Sequence, residues 1–453
     1  MAATQADKPL ESLSECTDWI LSGRREPHEF KIGTEYERLA IDADGHPLPY
    51  EGAVSIRTLF DRLMDRHAWV PYLESGRPIA LLRPGASISL EPAGQFELSG
   101  AVHATVAEMQ RELHDHLAQL RDVAEDLGVQ LCHVGMNPLT TLDDVPKMPK
   151  GRYAVMRTYM PRVGRYGLHM MHLTCTVQTN LDFASGSQAM EMMRLGHLLS
   201  PVLIALFANS PQLSGRETGY ASFRAQLWTD VDNARCNVQR FVFDKGATVQ
   251  DYVDWALDVP LYFFDKTLPD GSHGYESPLE PVSFRQYFQR GHDGRRPTMA
   301  DWELHVSTMF PDVRLKRYLE LRQADIVPPD SLPALPALTK GLFYDAEARA
   351  ATLALLRDGD VTVDRAALRE AACKDALEAD NQGFRLREMA AEVLRICQGS
   401  LTRQAAATGL DLEAGQALAP LEAIVAGHRL PFYETVRRRL AARHSLLALA
   451  DGW

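Results

Sequence analysis

The chain lacks most of the features that would classify it quickly. Cysteine is sparse: Cys16, Cys132, Cys175, Cys236, Cys373 and Cys397 are scattered over 453 residues with no C-x-x-C pair. That spacing excludes a zinc ribbon or a thioredoxin-type redox centre. Reduced thiols are the expectation, and a redox-controlled disulfide stays open with no pairing readable from sequence. No apolar run is long enough to span a bilayer, since the strongest, residues 198–208, is broken by Ser200 and Pro201. The N-terminal segment is polar and lacks the apolar core of an export signal, so a cytoplasmic location with no membrane partner is expected. Excess positive charge is missing as well: 48 Lys and Arg stand against 60 Asp and Glu, a formal charge of −12. A nucleic acid is thereby excluded as the main partner, while local basic patches remain free to hold the phosphates of a small molecule. The patterns G-x-x-x-x-G-K-[ST], G-x-G-x-x-G and H-E-x-x-H are also absent, so P-loop, Rossmann and zincin readings have no motif to stand on.

What is present is a chain long enough for two to three domains, or for one large sheet with helical additions. Periodicity predicts a short helix over 11–25, a strand over 30–41, a turn at 42–47 and a helix over 51–70. A β-rich region follows at 79–99. The clearest helix is 101–128, with Gly128 suited to its end and His103, His114 and His116 expected at its surface or rim. A loop rich in proline and basic residues spans 145–153, and His172 to Leu181 alternates like a strand. A buried helix is predicted over 189–207, mixed loop and strand over 212–245, and shorter helices over 249–257, 283–290 and 299–309. From about 345 onward the sequence is rich in Ala, Leu and Arg with helical periodicity. The proline-rich stretch 328–336 is the expected boundary between a catalytic unit, 1–340, and a C-terminal helical subdomain, 341–453.

The most informative stretch is V-R-L-K-R-Y-L-E-L-R, residues 313–322. Val313, Leu315, Leu319 and Leu321 share one parity, with Arg317 the exception; Arg314, Lys316, Tyr318, Glu320 and Arg322 share the other. In a strand this places three cations around one carboxylate on a single face. Three other stretches carry polar pairs at strand spacing: Glu35 and Glu37, Glu91 with Gln95 and Glu97, and Gln178 and Asn180. Pro92 and Gly94 are expected to break or bulge the second of these. An isolated E-x-E is ordinarily a solvated face. Four such stretches brought side by side would instead crowd carboxylates together, which requires cations to neutralise them. Oxygen donors without a Cys/His set favour Mg²⁺ or Mn²⁺ over zinc.

These residues stand within longer motifs: I-G-T-E-Y-E (32–37), L-E-P-A-G-Q-F-E-L-S-G-A (90–101), M-P-K-G-R-Y (148–153), T-C-T-V-Q-T-N-L-D-F-A-S (174–185), A-L-F-A-N-S-P (205–211), A-L-D-V-P-L-Y-F (256–263) and F-P-D-V-R-L-K-R-Y-L-E-L-R (310–322). In order and spacing the sequence resembles the plant and proteobacterial glutamate–cysteine ligases, within the glutamine-synthetase-like carboxylate–amine ligase superfamily. The resemblance implies an α+β fold, with a curved antiparallel sheet, flanking helices and a C-terminal helical subdomain. It implies ATP and Mg²⁺ (or Mn²⁺) as cofactors, and phosphorylation of the glutamate γ-carboxylate followed by attack of the cysteine amine. Carried over, it makes Glu35, Glu37, Glu91, Glu97, Gln178 and Glu320 metal ligands, and Arg235, Arg322 and Lys316 holders of phosphate or substrate carboxylate. Asn180, Lys150 and Arg152 become substrate- or phosphate-binding residues. The partners it implies are small molecules (ATP, glutamate or a related acid, cysteine or another amine), and the chain is expected to be a monomer or homodimer.

The sequence departs from the family at His169, His172, Leu173, Gly186, Cys236, Asn237, Gln323, Ile326 and Val327. Three readings therefore stand: a glutamate–cysteine ligase, a paralogous ligase with another acid or amine, and a non-catalytic member that binds nucleotide or a partner. For a catalytic member, Glu320→Gln is expected to abolish turnover and spare the fold.

Overall fold

A computed structural model describes residues 8–267, 273–360, 362–381 and 383–450. The polar N-terminal residues 1–7, on which part of the expectation about export rests, lie outside them. The molecule is organised around one nine-stranded antiparallel sheet. Its first seven strands are β1 (Ile32–Ile41), β2 (Val70–Glu74), β3 (Arg77–Arg83), β4 (Ala86–Leu90), β5 (Phe96–Ser99), β6 (Gln130–Cys132) and β7 (Val177–Leu181). A hairpin of Val313–Leu315 and Leu319–Leu321 supplies the last two. β1 is central, lying between β5 and β7, with β6 paired to its far end; β5 continues through β4 and β3 to the edge strand β2, and β7 continues into the hairpin. Because β1 has neighbours on both edges and helices behind it, nearly all of I-G-T-E-Y-E-R-L-A-I is buried.

The helices that matter for the site are α1 (Ser14–Leu21), α2 (Ile56–His67), α3 (Val106–Ala124), α4 (Gly151–Tyr159), α5 (Gly167–Leu173), α6 (Gly186–Phe207) and α7 (Phe223–Leu227). α2 and α3 lie together and bury Leu59, Phe60 and Leu63 from one, and Met109, Leu113 and Leu120 from the other. Each such residue contributes roughly 1.5–3 kcal/mol by burial. The structure corrects the placement of His116, which is buried rather than at the rim. It stands three residues after Leu113 and four before Leu120, on the apolar stripe itself. His103 lies ahead of the helix, with Nε2 3.2 Å from a Glu112 oxygen, and His114 is exposed.

Two further elements differ from expectation. The stretch 313–322 is a hairpin rather than one strand: Lys316 N donates to Tyr318 O at 2.8 Å, and Arg317, the parity exception, sits exposed at the tip. The tip lies so close to the end of α1 that a Cβ on Gly23 would fall 1.9 Å from the Arg317 carbonyl oxygen. The apparent strand from His172 begins only at Val177; His172 and Leu173 belong to α5, where His172 Nδ1 meets the Leu168 carbonyl at 2.9 Å. His169 and His172 are thus one helical turn apart and not on opposite strand faces. A two-turn helix is too short to show a 3.6-residue period, and packing selects it.

α6 is apolar enough and long enough to cross a membrane, but most of it is buried inside the molecule, where it is the central core helix. It lies under the hairpin so closely that a Cβ on Gly196 would be 2.8 Å from Val313 and 2.9 Å from Leu321. All six cysteines are free and buried.

The expected division at 340/341 falls within the helix Ala334–Phe343, and the helices beyond pack against that helix, α6 and α7. A polar strap adds to this packing. Asp411 accepts from the backbone N–H groups of Val106 (2.8 Å) and Ala107 (3.2 Å) at the start of α3, and from Lys340 Nζ at 2.6 Å. Asp411→Ala removes the acceptor of two N–H groups at a helix N-terminus and leaves Lys340 only the Ala104 carbonyl, and is expected to cost about 1–2 kcal/mol. A thermal midpoint equal to that of the parent protein would show that the strap carries no stability.

Candidate active site

Residues opposite one another in a sheet share a face, so the register places the polar pairs of the four stretches. Arg314 pairs with Glu320, Glu320 with Asn180, and Asn180 with Gly33. Glu35 lies between Gln178 and Ser99, and Glu97 lies between Glu37 and Ser89. The result is one continuous front face, cationic at the hairpin and acidic around β1 and β5.

At the cationic end, Glu320 is fully buried. Its oxygens accept from Arg314 Nε (2.6 Å) and Nη2 (2.7 Å) in a fork, and Oε1 also accepts from Arg322 Nη1 at 2.6 Å. Lys316 Nζ stands 3.7 Å away. Burial alone would raise the Glu320 carboxyl, but Arg314, Lys316 and Arg322 hold it well below the usual carboxylate range. Arg322 Nη1 also donates to Gln178 Oε1 at 2.6 Å, tying the hairpin to β7. Burial and the neighbouring Arg314 bring the Lys316 ammonium down to about 8.

At the acidic end the balance reverses. Asn180 Nδ2 donates to Glu35 Oε1 at 3.1 Å, Thr176 N to Glu37 Oε2 at 2.8 Å and Ser99 Oγ to Glu97 Oε1 at 2.6 Å. These bonds do not offset the crowding. Burial, followed by the charges of Glu320 and Glu97, pushes Glu35 up to about 7. Burial and Glu91 push Glu97 up to about 7, and burial with Glu91 and Glu97 pushes Glu37 well above its ordinary value. Glu91 sits at the start of the β4–β5 turn, where Gly94 adopts φ +85°, and accepts from Tyr153 Oη at 3.2 Å. Gln95 props this turn: it accepts from Ala93 N and donates to the Met171 and Thr174 carbonyls.

Lys150 immediately precedes α4 and its Nζ donates to the Leu90 carbonyl at 2.7 Å; burial lowers its ammonium to about 8. With Arg152 it lines a cavity of about 340 Å³ bounded by Tyr72, Leu73, Glu74, Ile79 and Tyr275. The basic loop expected over 145–153 is therefore a loop only to Lys150, and Arg152 is already helical.

Arg235 is fully buried and its donors are committed to structure. They reach Asp232 Oδ2 at 2.6 Å, Thr308 Oγ1 at 3.1 Å and the Pro260 carbonyl at 2.5 Å, with the guanidinium 3.5 Å from the centre of the Tyr262 ring. These contacts hold the loops around it together. Arg314 and Arg224 join the site without having been named among the residues the resemblance implies. Arg314 belongs to the readable alternation of the hairpin. Arg224, buried on α7 with Asp325 at 3.6 Å and its charge offsetting Glu37, carries no local signal at all.

The donor chemistry suits a hard divalent cation, being all oxygen with carboxylates short of counter-charge. Among the described residues, the acid and histidine triads close enough to share an ion are Asp42, Asp44 and His46, and Glu276, His292 and Asp293. The sheet glutamates are thus neighbours in register and not a preassembled cage. The acidic end fits a cation better than the hairpin end, where Glu320 already meets three positive charges. Of the departures from the family pattern, Gly186 lies against Leu21 and Val249, Ile326 and Val327 are core residues, and Gln323 donates to the Gly196 carbonyl at 3.3 Å. Leu173 and Cys236 lie in a second, methionine- and aromatic-rich core.

The profile of glutamate-cysteine ligase family 2 matches residues 31–429. A chloroplastic glutamate–cysteine ligase B of rice (Oryza sativa subsp. japonica) is 39% identical over 409 residues, covering 89% of this chain and 80% of that protein. The chloroplastic glutamate–cysteine ligase of Arabidopsis thaliana is 39% identical over 407 residues, covering 89% and 76%. Among solved structures, a glutamate–cysteine ligase from Francisella tularensis in complex with AMP superposes with a TM-score of 0.52 at 12% identity, covering 93% of this chain and 86% of that one. Its likeness speaks for the fold alone, an α+β arrangement with an open antiparallel sheet. The expectation of a cytoplasmic location is corrected by the plant relatives, which are named chloroplastic.

Proposed function

Because the chain belongs to glutamate–cysteine ligase family 2, we propose that the front face of its sheet joins glutamate to cysteine by way of a γ-glutamyl phosphate made from ATP. Membership makes the chain a ligase of γ-glutamylcysteine formation; the phosphate intermediate, the metal and the residue roles are the proposal. The observation that carries it is the register, which sets a crowded carboxylate group and a cationic hairpin on one continuous face.

A carboxylate resists attack by an amine until its oxygen is made a leaving group. Phosphorylation does this, and it needs chiefly positioning and positive charge on the transferring oxygens. Lys150 and Arg152 supply charge to the nucleotide phosphates in the cavity they line, while Tyr72, Leu73, Ile79 and Tyr275 give the base an apolar wall. Arg322, fixed by Glu320 and Gln178, and Lys316 beside it face the substrate carboxylate or the transferring phosphoryl group. Glu37, Glu91 and Glu97 are the residues that would hold Mg²⁺, with Glu35, Gln178 and Asn180 at its margin. When bound, the ion would neutralise phosphate oxygens as charge moves from nucleotide to acyl group. Glu320 serves as the anchor of the three hairpin cations and not as a ligand, because its oxygens are already taken.

Incubation of the protein with ATP, Mg²⁺ and glutamate is expected to release ADP when cysteine is added, to release ADP and form a hydroxamate when hydroxylamine replaces it, and to release little without an amine. ADP release that depends on another amino acid's amine and not on cysteine would move the substrate assignment to a paralogous ligase. Neither ADP nor hydroxamate with any acid would sink the ligase reading.

A further inference from the structure

The helices beyond residue 345 read in sequence only as Ala-, Leu- and Arg-rich periodicity, but one of them reaches the site. In the helix Arg365–Asp375, Arg369 is 8% exposed and points its guanidinium at Asp312, itself 6% exposed. Nε and Nη2 donate to the two carboxylate oxygens at 2.9 and 3.0 Å, a fork that fixes position as well as charge. Ser200 Oγ on α6 donates to the same carboxylate at 2.6 Å. Burial opposes the Asp312 charge, yet Arg369 holds its carboxyl down at about 2.

Asp312 is where this reaches the chemistry. Its backbone carbonyl accepts from Arg322 N at 3.1 Å. The carbonyl of Arg322 is held from the other side by Arg224 Nη2 at 3.1 Å, and that of Gln323 by Arg224 Nη1 at 3.3 Å. Arg369 supports this second contact too, since its Nη1 donates at 3.2 Å to the carbonyl of Ala225, the residue after Arg224 on α7. The loop before α7 is tied to the same helix, because Ala221 N and Ser222 N both donate to the Cys373 carbonyl at 2.9 Å. Arg224, Ala225, Asp312, Arg322, Gln323 and Arg369 enclose a space of only about 10 Å³, which holds one water at most. A displaced fork therefore has no slack in which to be absorbed.

We infer that Arg369 is a positioning residue for the ligase reaction, through which the C-terminal helices set the backbone of Arg322. The inference rests on the role proposed above for Arg322. Arg369 touches no substrate; it acts through Asp312 and α7 on the residue that does.

The test is a double-mutant cycle on kcat in the full-length chain, with ATP, Mg²⁺, glutamate and cysteine. Arg369→Gln is expected to lower kcat at least about tenfold, and Arg369→Lys, which keeps the charge but not the fork, to recover part of the loss. In an Arg322→Lys background, where the clamp is already degraded, Arg369→Gln is expected to cost less than about twofold. Purely structural damage would act equally in both backgrounds. Should the glutamine variant fail to give a folded circular dichroism spectrum, the lysine variant carries the same cycle. Wild-type kcat in a folded Arg369→Gln protein, or equal losses in the two backgrounds, would overturn the inference. Absence of turnover in the parent protein is instead a failure of the functional reading, and it is visible before any variant is made.

Discussion

Glu320→Gln is expected to remove about 3–5 kcal/mol of folding stability together with turnover, because it strips the shared anion from a buried cationic group. Arg314 holds this carboxylate in a fork, Arg322 donates to it and Lys316 stands by. A glutamine amide offers one acceptor oxygen and no charge, so Arg314 and Arg322 would face each other across a neutral group in the interior. This revises the sequence expectation that the substitution spares the fold. The pH behaviour follows from the direction of the shift. The folded carboxyl lies below its unfolded value, so its contribution is present above roughly pH 4.5 and is lost only as pH falls through the depressed folded value. The gap in thermal midpoint between parent and variant should therefore be fully open at pH 5 to 6, before Glu35 and Lys316 titrate, and close in strong acid. A variant that melts with the parent protein at pH 7 would show that the ion group stores no net stability. Adding Arg314→Met to Glu320→Gln should restore part of the loss, since it removes one uncompensated charge.

Glu97→Gln and Glu37→Gln are expected to act oppositely on fold and function. Each should lower kcat at least about a hundredfold, a loss of roughly 3 kcal/mol of transition-state stabilisation, by removing a carboxylate from the proposed Mg²⁺ group. Each should also stabilise the metal-free protein above neutral pH. The folded Glu97 carboxyl is raised to about 7 by burial and by Glu91. A raised carboxyl contributes fully below the unfolded value near 4.5 and loses that contribution as pH climbs through the folded value. In EDTA the parent protein should thus lose up to about 2–3 kcal/mol between pH 5 and 8, and the glutamine variant, which never ionises there, should lose less. Mg²⁺ should restore the parent at pH 8 and leave the variant almost unmoved. A parent midpoint that holds steady from pH 5 to 8 without metal would remove the charge crowding on which this rests.

How much of this was legible in sequence depended on whether a signal was local. The alternation of 313–322 placed Arg314, Lys316, Glu320 and Arg322 on one face even though the stretch is a hairpin, because a tight turn preserves the facing of paired residues. Arg317, which broke the alternation, was the turn. The same habit misled at His172, where five alternating residues ran backward into a two-turn helix. His116 was misplaced for a different reason: its chemistry suggested a surface, while its position on the stripe of α3 already put it inside. Glu35, Glu37, Glu97 and Gln178 could be nominated from spacing, but their adjacency needed the strand order, which no spacing contains. Arg224, Asp325, Asp312 and Arg369 were beyond reach. Each is an ordinary charged residue in its own neighbourhood and is tied to the site only by contacts with residues distant in sequence.

The same strand order has a consequence for the chain as it is made. The acidic half of the front face comes from β1 and β5, which lie close in sequence and can pair early in synthesis. The cations of the hairpin arrive only with residues 314–322, and their support only with Arg369. Until then Glu35, Glu37 and Glu97 have only Lys150 and Arg224 to offset their repulsion, and closing the sheet over them is a late, long-range event. A ribosome-bound chain that has not reached residue 369 thus carries the carboxylates and the hairpin cations without the helix that sets the backbone of Arg322.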